Sequence, residues 1–90
     1  MIIPKSFKLG GVVWTVERAP LNQALGLCYN TKALIQLEKD LPKAIEGQTF
    51  CHELVHAIQF AMGRHTEPHD EQFTDAFAVF LHQYLEQHGK

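Results

Sequence analysis

Thr49-Phe50-Cys51-His52-Glu53-Leu54-Val55-His56-Ala57-Ile58-Gln59-Phe60-Ala61-Met62 is the stretch on which the reading of this chain turns. It is an apolar, helix-forming run with a His-Glu-x-x-His pentapeptide set inside it. On a helix, residues four apart stand on one face, one turn above the other. The imidazoles of His52 and His56 therefore reach toward one point. Glu53 is displaced by about 100° from His52 and leans over the open side of that point. Neutral imidazole nitrogen is a good zinc ligand, and a catalytic zinc keeps one position for water. A glutamate beside that water takes its proton. One helical turn thus supplies two ligands and a base, and the third ligand must come from elsewhere. The plain alternative, a histidine-rich stripe facing solvent, is disfavoured by the helical context the motif requires.

Working outward, the same helix extends over about residues 41–62. Asp40 or Leu41 opens it, and Pro42 is tolerated in its first turn. Gly47 weakens the early part, so the firm helix is expected nearer Gln48. Phe50, Leu54, Ala57, Ile58 and Ala61 form a core stripe at helical spacing, and Gly63 suits the position just past the end. A second helix spans about 67–88, with Thr66 as cap and Glu67 and Pro68 in its first turn. Phe73, Phe77, Phe80, Tyr84 and Leu85 give its expected core stripe, and Gly89 a stop.

The residues before the first helix alternate as strands do. Phe7 to Leu9 and Val12 to Glu17 flank Gly10-Gly11, a two-residue hairpin signal. Leu25, Leu27 and Tyr29, then Ala33, Ile35 and Leu37, alternate on either side of a turn at Asn30-Thr31-Lys32. The expected fold is α+β: a small antiparallel sheet of three to four strands over about 6–38, followed by two packed antiparallel helices. Ninety residues make one domain, 1–90, with one small core.

A short connection makes the helices an antiparallel hairpin, which allows their levels to be matched. At 1.5 Å per residue, His56 lies roughly 10 Å and His52 roughly 16 Å below the Gly63 end. On the second helix Glu71 and Asp75 lie roughly 6 and 12 Å below its start. Glu71 therefore comes level with His56, and Asp75 approaches His52. That arrangement suits a carboxylate ligand followed by a carboxylate that takes the other N–H of a ligating histidine. Asp75 as the ligand, or His65, His69 or Asp70 near the connection, are the alternatives.

His52-Glu53-Leu54-Val55-His56 followed by Glu71-Gln72-Phe73-Thr74-Asp75 resembles the gluzincin pattern, HExxH then ExxxD. Asp75-Ala76-Phe77-Ala78 also looks like a stretch of the compact ImmA/IrrE-like metallopeptidases found in phages and prophages, and the small preceding sheet is similar to theirs. The resemblance implies a minimal zincin-like domain with one zinc ion held by His52, His56 and Glu71. It implies Glu53 as general base and Asp75 as the partner of His52. The chain departs from larger gluzincins in lacking a second lobe.

The expected activity is a zinc-dependent hydrolysis of peptide bonds, with a peptide or protein as substrate. His82, Tyr29 and Tyr84 are candidates for a second donor to the oxyanion or for substrate contact; the plain roles are a surface histidine and packing aromatics. Ala33 to Leu37 is the expected strand for pairing with substrate backbone. The competing class is a zinc-stabilised binding or regulatory module without turnover. Glu53 separates the two, because a structural site is closed by four ligands and needs no base. A net charge of −2 and scattered Lys and Arg give no footprint for nucleic acid. No apolar run reaches membrane-spanning length, and no signal peptide is apparent at the N-terminus. Cys28 and Cys51 read as small buried residues with free thiols, consistent with a cytoplasmic protein.

Overall fold

The computed structural model describes residues 1–63 and 71–88, with the side chain of residue 88 excepted. Thr66, Glu67, Pro68 and Gly89, and the rival ligands His65, His69 and Asp70, lie outside the described residues. Strands β1 (Ser6–Leu9) and β2 (Val12–Ala19) pair antiparallel, with Phe7 opposite Trp14 and Leu9 opposite Val12. Gly10 and Gly11 both take positive φ, +56° and +82°, which is what a two-residue turn matched to strand twist demands. Strands β3 (Gly26–Tyr29) and β4 (Leu34–Glu38) form a second antiparallel pair around a 3-10 turn at Asn30–Lys32.

The two pairs join in the order β1-β2-β4-β3, and β2 runs parallel to β4. The sheet is therefore mixed, where an antiparallel one was expected. After β2 the chain steps over one strand position, lays β3 on the far edge and turns back into the gap. That excursion is the crossover a parallel pair requires. The backbone N–H of Leu21 bonds Glu38 Oε1 (2.6 Å), and that of Glu38 bonds the Leu25 carbonyl (2.8 Å), tying the connection down. The outcome seats β4 inside, where Ile35 and Leu37 are fully buried.

Helix α1 (Lys43–Ala61) lies across the sheet. Pro42 stands at its N-cap, Met62 at its C-cap, and Gly63 follows at φ +80°. The helix is continuous from Lys43, so Gly47 does not delay it. The core joins Trp14, Val16, Ile35 and Leu37 of the sheet to Phe50, Cys51, Val55 and Ala57 of α1. Trp14 stacks on Phe7 (6.4 Å between centroids) and meets Phe60 edge-on (6.5 Å). Of the expected α1 stripe, Phe50 and Ala57 are buried, Leu54 and Ile58 partly so, and Ala61 is exposed. Cys51 and Val55 take the inner places because α1 is covered on two sides, by the sheet and by the second helix.

Helix α2 (Glu71–His88) packs against α1 with a different face from the one expected. Thr74, Ala78 and His82 are buried and Leu81 and Leu85 partly so, while Phe73, Phe77, Phe80 and Tyr84 are 48–68 % exposed. Small side chains let the two helix backbones approach closely, and bulky rings there would hold them apart. Gly47 completes the fit: a Cβ at that position would stand 2.9 Å from Cδ2 of His82. His82, read as a surface histidine, is thus a core residue lodged in a notch. Among the described residues no helix is long and apolar enough to cross a membrane.

Candidate metal centre

The α1 and α2 hairpin brings His52, His56 and Glu71 together. Nε2 of His52 and Nε2 of His56 are 3.2 Å apart; Glu71 Oε1 is 3.6 Å from the first and Oε2 3.4 Å from the second. Two ligands about 2.0–2.1 Å from a tetrahedral zinc stand about 3.3–3.4 Å apart, and the two nitrogens and the Glu71 carboxylate group, which meets each nitrogen through a different oxygen, form a triangle near that size. A hydrogen bond between the two imidazoles would account for one edge of this triangle only. Two neutral nitrogens and a carboxylate are a donor set zinc accepts, and the residues present fit the ion.

His52 is aimed by a neighbour on α2. Asp75 Oδ1 lies 3.0 Å from Nδ1 of His52, so Nδ1 carries the proton and Nε2 is left to coordinate. His52 and His56 are partly buried on α1, whereas Glu71 and Asp75 are exposed on α2. Glu53 is 8 % exposed. Burial pushes its carboxyl above the usual carboxylate range; the nearby His52 opposes that shift and Glu71 adds to it. A carboxylate that holds a proton more readily is better suited to accept one near neutrality.

Strand β3 forms the opposite wall. A Cβ at Gly26 would fall 2.7 Å from Thr49 Cγ2 and 3.1 Å from Glu53 Cγ. The absence of a side chain there lets the edge strand close over α1 beside the base. Two cavities share Gly26 and Glu53. One, about 360 Å³, is lined also by Leu25, Gln48, Thr49, His52, Asp75, Ala78 and Val79. The other, about 230 Å³, is lined by Leu27, Cys28, Asn30 and His56. Together they make a shallow groove along β3 past Glu53, His52 and His56.

The other sequence candidates fall elsewhere. Tyr29 ends β3 with Lys32 Nζ 5.6 Å from its ring and lines neither cavity. Tyr84 is on the exposed face of α2, and His82 is lodged at Gly47, more than a turn along α1 from His52. Gly26, Thr49, Cys28 and Asn30 line the groove and were missed. Only the pairing of β3 with the sheet edge reveals them, and no motif marks that.

Cys28 donates its S–H to Asn30 Oδ1 (3.2 Å). Burial, with a contribution from Glu53, raises its thiol to about 12; Cys51 is raised to about 11, chiefly by burial. At pH 8 the thiolate fractions are then only about 10⁻⁴ and 10⁻³, against roughly a quarter for a free cysteine. Native protein is expected to resist iodoacetamide at pH 8 and to take two adducts once unfolded, read by intact mass. Rapid native alkylation of Cys28 would contradict the packing described.

Neither the curated proteins nor the solved structures contain a match. The family match is to the SprT-like family and covers residues 4–88. It supports the metallopeptidase kind and not the ImmA/IrrE-like assignment that the motif stretch implied. Spanning nearly the whole sequence, it shows that the chain belongs to the SprT-like family, a zinc-metallopeptidase-like family.

Proposed function

We propose that this protein is a zinc-dependent peptidase of the gluzincin type, with Glu53 as general base and an extended peptide as substrate. The observation that carries the reading is the convergence of His52 Nε2 and His56 Nε2, 3.2 Å apart, on the Glu71 carboxylate, whose two oxygens lie 3.6 and 3.4 Å from them in turn, next to a buried glutamate. When bound there, zinc supplies a Lewis-acidic charge that acidifies a water and polarises a peptide carbonyl. Glu53 would accept the proton of a water attacking the carbonyl carbon and return it to the departing amine nitrogen as the C–N bond breaks. Asp75 keeps the His52 ring in one tautomer throughout.

The substrate strand is β3. The expected partner, Ala33 to Leu37, is paired on both sides as β4 and offers no free edge. β3 is an edge strand against the groove, and main-chain pairing with it would draw a peptide past Glu53. Asn30 keeps its amide N–H groups for a substrate carbonyl, its oxygen being engaged by Cys28. The base also argues against a purely structural zinc, which has no use for it. The two free thiols support a reducing compartment, the cytoplasm.

Removing and restoring the metal tests this reading. Chelated protein is expected to lose hydrolysis of a quenched-fluorescent peptide mixture and to regain it with about one equivalent of zinc. Hydrolysis that survives complete metal removal would overturn it. Unfolding on chelation, with no hydrolysis by the zinc-loaded protein, would point to a structural zinc instead.

A further inference from the structure

We propose that the exposed aromatic face of α2 is a homodimer interface, pairing with α2 of a second copy in antiparallel fashion about a two-fold axis. The inference is independent of the peptidase reading. Four rings carry it: Phe73, Phe77, Phe80 and Tyr84, each about half exposed or more. Their spacing is four, three, four, the alternation of a coiled-coil seam. It is also symmetric about its own centre. Two antiparallel copies related by a two-fold axis bring Phe73 of one against Tyr84 of the other, and Phe77 against Phe80. An isologous contact needs this self-complementarity, with each residue meeting its counterpart twice. A notch of about 310 Å³ bounded by Phe77, Phe80 and Leu81 lies on the same face and can receive a ring of the second copy.

Charge selects the occupant. Among the described side chains, those beside the stripe are Ala76, Leu81, Gln83 and Gln87, all uncharged. The acids of α2 are turned elsewhere, Glu71 and Asp75 toward the histidines and Glu86 toward His82. The described side chains of this face carry no charge, so two copies meet there without repulsion between them. Residues 71–88 contain no Lys or Arg, whereas a helix that binds anionic lipid surfaces carries them beside its apolar face. Each half-exposed ring offers about 100 Å², so four give about 400 Å² per copy, and the flanking glutamines bring the total over both copies to about 1,000–1,200 Å². That is the floor for a specific interface, in the size class of weak, reversible association.

Sedimentation velocity on the full chain tests it. The mass is expected to rise from 10.2 kDa toward twice that value as concentration goes from about 1 to about 300 μM, a range set by the interface size. Phe77→Glu and, separately, Phe80→Lys are expected to weaken association at least tenfold, with unchanged circular dichroism and zinc content. Mixed Phe73→Cys and Tyr84→Cys proteins are expected to cross-link on mild oxidation, and neither alone to do so. A wild type that stays monomeric to about 300 μM, or association unaffected by both charge variants, would overturn the proposal. So would cross-linking of either cysteine variant with itself, or a monomer that instead floats with phosphatidylglycerol vesicles.

Discussion

Glu53→Gln is expected to keep one zinc per chain and to lower kcat by about 10³-fold, within the range general-base removal produces. The substitution preserves shape and removes the proton acceptor, while His52, His56 and Glu71 remain in place. Zinc analysis and peptide turnover on one preparation decide it, and hydrolysis at the wild-type rate would end the proposed role of Glu53. Stability supplies a second readout. The Glu53 carboxyl is raised above its ordinary 4.5 by burial, so the metal-free fold loses stability as pH climbs through the titration range of this group. At pH 7 the metal-free variant should therefore melt no lower than metal-free wild type. A marked fall in Tm on this substitution would assign Glu53 a structural part instead.

Gly47→Ala is expected to destabilise the protein by about 2–3 kcal/mol, the scale for forcing a methyl into a packed core. The new Cβ would overlap the His82 ring, which neither helix can avoid without separating. Because α2 carries Glu71 and Asp75, separation also spreads the ligand triangle, so zinc affinity should fall with stability. His82→Ala alone leaves a cavity and costs a comparable amount. Together the two changes should cost clearly less than their sum, a coupling of at least about 1 kcal/mol. Additive effects in urea unfolding would mean that the notch and the ring do not meet.

Two kinds of information in the sequence had different reach. Local geometry travelled well. Gly10-Gly11 marked the hairpin, and Gly63 marked the end of α1. Rise per residue brought Glu71 to the level of His56 and Asp75 to that of His52; in the structure the closest approaches of these pairs are 3.4 and 3.0 Å. Choices between competing faces did not travel. Helical periodicity gave α2 two candidate faces, one of large rings and one of Thr74, Ala78 and His82. Hydrophobicity favoured the rings, but closeness of approach to Gly47 decided for the small residues. Strand alternation likewise revealed both hairpins and said nothing of how they join. The parallel register of β2 with β4 depends on a step of the connecting chain that no pattern encodes. That single step made β3 the edge strand, and with it Gly26, Cys28 and Asn30 became neighbours of the histidines.

The interior seat of β4 has one more consequence, for behaviour in a crowded solution. Leu34-Ile35-Gln36-Leu37 is an apolar, uncharged run of the kind that templates cross-β growth when a backbone edge is open. Here both of its edges are capped by neighbours, β2 on one side and β3 on the other. The two outer strands are four residues long each, and one of them carries Lys8. The topology thus hides its stickiest segment from other molecules of its kind.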